Sequence, residues 1–396
     1  MLIRNWNRTL TGNKQIMLTM NYKHLCACLL LSASSYAQQK LTLRNDQLEL
    51  EWKKGNKGYQ LIKAGAHQTT LPQPSGEYTV LYSVHKPDTA ALRQQVDQRA
   101  ASFPEPIYKY LIKRWSENLS AVPMNTAGKA IHFYPAVAKQ NASGIAFTYA
   151  SDTLQLTADW KLDPAYPQDI TVTLTLKAKK AGYYAMATPS LAVLPERELD
   201  WGMIPGYFQG KKLATDLVNS YAYGQGIPNR PIIVRERTAS TLCPLLRSRN
   251  SLTLAVIPDP GTGRDPWAQD HNTHSDWQLG LSLMNRKGGL TPTAYHPVLG
   301  EQDSYMKEGE TRAFSFRYSL QAADWYAVYK HAIYDIYRFK DFLALKQTHQ
   351  SLTDRVMEML HYVKADSTSR WRTFSYKGLE MGGQDYLGGV VGSDKD

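Results

Sequence analysis

From Lys40 to about Leu320, apolar side chains recur at every second position in run after run. A segment with that period can bury one face only as an extended strand. Leu48-Glu-Leu50-Glu-Trp52 alternates cleanly, then passes through Gly55-Asn-Lys-Gly58 into Tyr59-Gln-Leu-Ile62, a hairpin pattern. Ile170-Thr-Val-Thr-Leu-Thr-Leu176 is the clearest run, apolar at even numbers and Thr at odd ones. Further strands are predicted at Tyr78–Val84, Ile107–Ile112, Ala130–Tyr134, Ile145–Tyr149, Leu154–Trp160, Tyr183–Met186, Leu252–Ile257, Trp277–Leu283 and Ala313–Tyr318. Such a series, broken by Gly, Pro, Asn and Asp turns, predicts a mainly β chain built on a large antiparallel β-sandwich. The stretch is more than twice an immunoglobulin-type sandwich of about 100 residues, so the sheets are wide or there are two sandwiches.

At Asp324 the period changes to 3.6. Trp325, Val328, Tyr329, Ala332, Ile333, Ile336 and Tyr337 form one helical stripe, with Asp324 as its N-cap. This stripe reads as packing against the sandwich, and His331 with Asp335 reads as a surface pair four residues apart. A second helix starts at the capping-box pattern Ser351-Leu-Thr-Asp354, with Val356, Met359, Leu360 and Val363 on its apolar face. A glycine-rich run from Trp371 to Asp396 follows. Two helices and such a run bury little by themselves, so they read as the beginning of a helical domain. The alternative is a complete protein whose last helices pack on the sandwich. The expected organisation is an export signal at 1–37, a β-sandwich domain at 38–320, a helical linker at 321–350 and the start of a helical domain at 351–396.

The first segment carries the marks of export. Lys23 and His24 precede the apolar stretch Leu25–Ala33, and Ser35-Tyr-Ala37 places small residues before a cut at Gln38. The polar stretch before Met20 reads as an upstream start or a long basic region. Leu25-Cys-Ala-Cys28 resembles a lipoprotein box only faintly, because its apolar stretch follows the cysteine. The expected destination is therefore the periplasm or the extracellular space. Loss of 1–37 removes Arg4, Arg8, Lys14 and Lys23 and no acid, leaving a net charge near +7 over 359 residues. Mixed along the chain, that charge permits contact with an acidic polysaccharide or a membrane surface, but it forms no nucleic-acid-binding stripe. No run of about 20 apolar residues provides a membrane span. Cys26 and Cys28 leave with the segment, so Cys243 is alone and no intramolecular disulfide forms. Leu242 and Pro244-Leu-Leu surround it like a core position.

The middle, residues 195–275, is rich in Pro and Gly and reads as long loops, which on a rigid sheet scaffold are often functional. Its densest polar cluster holds Asp259, Arg264, Asp265, Asp270, His271, His274 and Asp276, with Trp267 and Trp277. No spacing matches a zinc motif or a calcium loop, and neither a metal nor another cofactor is expected. Sugar sites combine aromatic platforms with side chains that hydrogen-bond hydroxyls. Trp267 and Trp277 would be the platforms, and Arg264, Asp265, Asp270, His271 and His274 the polar contacts. A solvated structural loop is the competing reading. Pro260-Gly-Thr-Gly263 and Gly224-Gln-Gly226 read as tight turns, and Arg235-Glu-Arg237 as an exposed strand edge. Glu380, Asp385 and Asp394 are weak catalytic candidates, since glycosidases need two carboxyls across the scissile bond.

Signal, sandwich, helical linker and helical start come in an order that resembles exported bacterial carbohydrate-active enzymes of the six-hairpin type. The resemblance rests also on Trp201-Gly-Met-Ile-Pro-Gly-Tyr-Phe-Gln-Gly210, Ala222-Tyr-Gly-Gln-Gly-Ile-Pro228, Pro260-Gly-Thr-Gly-Arg-Asp-Pro-Trp267 and Gly388-Gly-Val-Val-Gly-Ser-Asp-Lys-Asp396. It implies a galactose-mutarotase-like super-sandwich followed by an (α/α) toroid, here represented only by its start. It implies a glycoside hydrolase acting on a poly- or oligosaccharide. A non-catalytic carbohydrate-binding module and a polysaccharide lyase on a similar toroid are the alternatives. Expression with export in a Gram-negative host is expected to yield a mature chain beginning at Gln38, read by N-terminal mass spectrometry. A product retaining Leu25–Ala33 would overturn the export reading.

Overall fold

A computed structural model describes residues 40–87, 128–211, 233–236, 239–263, 278–344, 350–365 and 371–384. The chain divides after Tyr337 into two compact units. In the first, the strands run β1 (Lys40–Arg44), β2 (Leu48–Gly55), β3 (Gly58–Ala66), β4 (Thr69–Thr70), β5 (Pro74–Ser83), β6 (Lys129–Phe133) and β7 (Val137–Asn141). They continue with β8 (Gly144–Ala150), β9 (Leu154–Leu162), β10 (Asp169–Ala178), β11 (Gly182–Ala192), β12 (Leu199–Ile204), β13 (Phe208–Gly210) and β14 (Val234–Arg235). The last are β15 (Leu245–Ser248), β16 (Thr253–Pro258), β17 (Gly280–Met284), β18 (Leu290–His296), β19 (Tyr305–Met306) and β20 (Thr311–Gln321).

These strands make a four-stranded sheet and two wide ones. One wide sheet has nine strands in the order β13-β12-β15-β16-β20-β10-β9-β8-β7. The other has seven, in the order β14-β17-β18-β11-β5-β6, with β19 added to β11. Their ladders are antiparallel. The chain is thus mainly β and sandwich-like, and the width question is answered by wide sheets.

Alternation decides what lies between the two sheets. On β10, Ile170, Val172, Leu174 and Leu176 point into a common core with Phe314, Phe316, Tyr318 and Leu320 of β20. Tyr78 and Val80 of β5, Tyr184 and Met186 of β11, and Leu281 and Leu283 of β17 enter it from the seven-stranded sheet. Trp52 and Tyr59 reach it from the four-stranded sheet. Its centre is aromatic: Trp160 packs edge-on against Trp52 at 5.4 Å and stacks on Tyr318 at 5.5 Å. Trp160 Nε1 donates to Tyr78 Oη at 2.7 Å, so the buried indole N–H has a partner on the opposing sheet.

The helical stripe does pack on the sandwich. Helix α1 (Trp325–His331) begins at Asp324, whose Oδ1 accepts the Ala327 N–H at 2.7 Å. It runs into a π turn, Ala332–Ile336, closed by Tyr337 N–H on Ala332 O at 2.9 Å. Val328, Ala332 and Ile336 lie with Met203, Cys243, Leu245, Ala255 and Ile257 on the outer face of the nine-stranded sheet. Cys243 is buried there, and burial pushes its thiol pKa up, away from nucleophilic use.

Two stretches differ from expectation. Beside the expected strand β16, the Pro-rich middle contributes β12, β13 and β15 rather than loops alone, because Pro205, Pro244 and Pro258 stand at strand ends or turns, where no ladder donor is lost. Trp201–Gly210 is a hairpin. Its Gly206 has φ +81°, and an added Cβ would stand 2.7 Å from Ser240 N. In the second unit, α2 (Phe339–Ala344) and α3 (Leu352–Lys364) are followed by a hairpin of β21 (Trp371–Tyr376) and β22 (Leu379–Gln384). Lys377 and Gly378, both at positive φ, form its two-residue turn, which is why a glycine-rich stretch yields strands. Ser351 caps α3 as the sequence indicates, its Oγ accepting the Asp354 N–H at 3.0 Å.

Tyr78→Phe leaves the Trp160 N–H buried without an acceptor. It is expected to destabilise the protein by about 1–3 kcal/mol in urea unfolding. A change below about 0.5 kcal/mol, the level of an ordinary surface substitution, would remove this bond from the account of the core.

Candidate functional site

Of the residues singled out from sequence, Arg264, Asp265, Trp267, Asp270, His271, His274, Trp277, Asp385 and Asp394 lie outside the described residues. Glu380 is exposed on β22, opposite Ser375. Asp259 stands at a turn, its carbonyl accepting the Thr262 N–H at 3.1 Å. Pro260-Gly-Thr-Gly263 is a turn, as expected. A depression of about 420 Å³ at the β1–β2 turn is lined by Arg44, Asn45, Asp46, Gln47, Glu49 and His67. Asn45 there is occupied in building the turn: its Oδ1 accepts from Gln47 and Leu48, and its Nδ2 donates to Pro167 O.

The described residues bring a polar group together on the outer face of the seven-stranded sheet. Tyr78 and Val80 point inward, so alternation turns Glu77 and Thr79 outward. Thr79 stands opposite His132 of β6 on one side and Ala187 of β11 on the other, and Ala187 stands opposite Tyr295 of β18. His132, Thr79, Ala187 and Tyr295 thus form one row across four strands. His132 Nδ1 lies 3.0 Å from Thr79 Oγ1 and 3.8 Å from Glu77 Oε2. Lys287 Nζ donates to Glu77 Oε1 at 2.5 Å. Burial lowers the His132 pKa, Glu77 opposes this, and the charges of Lys287 and Arg286 reinforce it. Arg286 itself is pulled down by burial, with Tyr295 opposing. His132 is therefore a neutral imidazole at pH 7, one quarter exposed, with Nδ1 engaged. A neutral imidazole offers one donor and one acceptor, which matches a hydroxyl group. None of this was legible in the sequence, because Glu77, His132 and Lys287 are far apart along the chain.

On the other outer face, under α1, lies a charged group. Asp169 is fully buried and Arg317 partly buried. Arg317 Nη1 donates to Asp163 at 2.9 Å and to Asp169 at 3.4 Å. His331 was expected at the surface with Asp335; instead it is buried. Its Nδ1 lies 2.9 Å from Asp335 Oδ2 and its Nε2 2.9 Å from Asp169 Oδ2. The correction has a plain cause: α1 packs the His331 side of the helix onto the sheet, where Asp169 is 162 residues away in sequence. Arg235-Glu-Arg237 needs a similar correction. Val234–Arg235 is an edge strand, yet Glu236 is buried and its carboxylate accepts the backbone N–H groups of Gln278 and Leu279. Among the described residues no cluster has the geometry to hold a metal ion, and no helix is long and apolar enough to cross a membrane.

No family model and no curated protein matches the sequence. Among solved structures, the chain is similar to the galactose mutarotase related enzyme of Lactobacillus acidophilus. That similarity has 10% identity and a TM-score of 0.35, over 72% of this chain and 99% of that one. It is similar to the alpha-N-acetylgalactosaminidase of Bifidobacterium bifidum at 11% and 0.38, over 80% of this chain and 40% of that one. A heparan sulfate lyase mutant from Pedobacter heparinus aligns at 10% and 0.30, over 72% of this chain and 35% of that one. These TM-scores are below 0.5, and no residue role or substrate passes from those proteins to this chain.

The electrostatics of His132 can be tested with two opposed variants. Lys287→Met removes a positive charge that disfavours the imidazolium and is expected to raise the His132 pKa. Glu77→Gln removes the charge that favours it and is expected to lower the pKa further. A histidine-resolved NMR titration in which both variants move the midpoint the same way, or neither moves it, contradicts this geometry.

Proposed function

We propose that the chain is the N-terminal part of an exported carbohydrate-active enzyme, a glycoside hydrolase acting on a poly- or oligosaccharide. In this reading the outer face of the seven-stranded sheet contacts the sugar. The observation that carries it is the part-exposed, neutral His132, held from beneath by the buried Thr79 hydroxyl, beside the Glu77–Lys287 pair. Such groups donate to and accept from hydroxyls without presenting an unpaired charge, as binding of a neutral sugar requires. The export signal read from the sequence, the order of sheets before helices and the resemblance to six-hairpin enzymes support the same reading. The stretch Arg264–Trp277, with its tryptophans, would add aromatic platforms.

A binding module without turnover is the second reading. One observation favours it: Glu77, the carboxylate on this face, is neutralised by Lys287. That arrangement suits holding a hydroxyl better than protonating a glycosidic oxygen.

The test is a glycan panel applied to the natural full-length protein, with reducing ends, ultraviolet absorbance and binding measured together. New reducing ends without absorbance are expected, and His132→Gln is expected to weaken binding about tenfold, the effect of one lost hydrogen bond to sugar. An absorbing, unsaturated product would assign a lyase instead, and binding alone a module. Neither binding nor turnover on any glycan would end the carbohydrate reading.

A further inference from the structure

His331 faces two carboxylates at once. Its Nε2 lies 2.9 Å from Asp169 Oδ2 on the sheet, and its Nδ1 lies 2.9 Å from Asp335 Oδ2 in the π turn. An ionised carboxylate only accepts hydrogen bonds. Both ring nitrogens must therefore donate, and only the imidazolium has two N–H groups. A neutral imidazole in the same place would set a lone pair against one carboxylate oxygen at 2.9 Å. It would also leave the fully buried Asp169 with Arg317 as its cationic partner.

The groups around His331 come from three elements. The turn before β10 and β10 itself supply Asp163, Tyr166 and Asp169, with the Tyr166 ring edge-on to the imidazole at 5.0 Å. Strand β20 supplies Arg317, which reaches Asp163, Asp169 and, at 3.8 Å, Asp259. The helix supplies Asp335, and beyond it Tyr337 donates to Leu242 O and Pro258 O at 3.0 and 2.8 Å. Cys243 and Tyr337 are both held protonated by burial, so neither changes charge near neutral pH. The remaining charges are carboxylates and an arginine, so among these groups the imidazole is the one suited to changing charge above neutrality.

We propose that His331 is a pH-operated latch: as imidazolium it fastens Trp325–Ile336 to the nine-stranded sheet, and on losing one proton to solvent it lets that segment open. The fastened segment is the last of the sandwich unit, and the chain leaves it at Arg338 with φ +57°. The electrostatics agree with the geometry. Burial opposes the charge on His331, but the hydrogen bonds and charges of Asp169 and Asp335 outweigh it and raise its pKa above the ordinary imidazole value. The sign follows. A histidine whose folded pKa is raised contributes its full stabilisation below the unfolded value, about 6.5, and loses it as pH rises through the folded value. The latch is closed in acid and neutral solution and opens in alkali. This inference does not depend on the carbohydrate reading.

The experiment is amide hydrogen exchange of the Trp325–Ile336 segment in the full chain, from about pH 6 to about pH 9, divided by the intrinsic exchange rate. Between the free imidazole value, about 6.5, and the folded value, protection is expected to fall by up to about tenfold per pH unit, the slope of one linked proton, and then to level off. His331→Gln is expected to abolish that slope. Asp335→Asn, which keeps the Asp169 contact, is expected to make the loss level off at lower pH and so to shrink it, and serves where the Gln variant does not fold. Histidine NMR is expected to place the His331 midpoint above that of a free imidazole. Flat protection in the wild type, an unchanged slope in His331→Gln, or a midpoint at or below the free value would each overturn the latch.

Discussion

The hydrogen bond from Trp160 to Tyr78 spans the two wide sheets, and much else depends on where it falls. A strand has only two faces, so fixing one residue inward fixes every second residue with it. With Trp160 inward on β9, the paired β10 must send Ile170 and Val172 inward and Asp169 outward. Through β20 the same parity puts Phe316 and Tyr318 in the core and Arg317 outside it. With Tyr78 inward on β5, Glu77 and Thr79 must face out, and the ladder carries His132 out with them. A one-residue slip of either sheet would bury these polar groups in the aromatic core and expose the core instead.

The two outer faces then meet different surroundings, and the two histidines record the difference. The nine-stranded sheet is covered by α1, so a polar group there must find its partner within the protein or bear the cost of lost solvation. His331 meets two anions, and they prevail over burial. His132 sits on a partly open face where burial is reinforced by Lys287 and Arg286, against a single carboxylate. The same side chain is held charged in one place and neutral in the other. The difference comes from the sign and number of neighbours rather than from depth, since the deeper histidine is the charged one.

Much of the architecture was legible because alternation is a local property. Ile170–Leu176, Leu48–Trp52 and the Asp324 cap stand where their patterns put them. What was missed failed for an identifiable reason. Leu290–His296 is buried on both faces along most of its length, Thr291 and Thr293 included, and it holds Pro292, so it does not read as a half-buried strand. Strand β12 holds Gly202 and ends before Pro205, which reads as loop until its partner β15 is known. Sites are harder still. His331 was visible with Asp335, four residues on, but its burial depends on Asp169, which no periodicity connects to it. Glu77 and His132 meet because β5 and β6 are neighbours in one sheet, and Lys287 reaches Glu77 from the turn between β17 and β18.

The charged group under α1 is not explained by stability. Asp169 Oδ1 and Arg317 Nε are buried without hydrogen-bond partners, so the group forgoes part of the bonding that would offset its desolvation. Buried ion pairs of this kind are often no more stabilising than apolar residues of similar volume. The helix has apolar support in any case, from Val328, Ala332 and Ile336 against Met203, Leu245 and Ile257. A wholly apolar contact would hold the segment equally at every pH. What the charged group adds is a dependence on one proton, located where the sandwich unit ends.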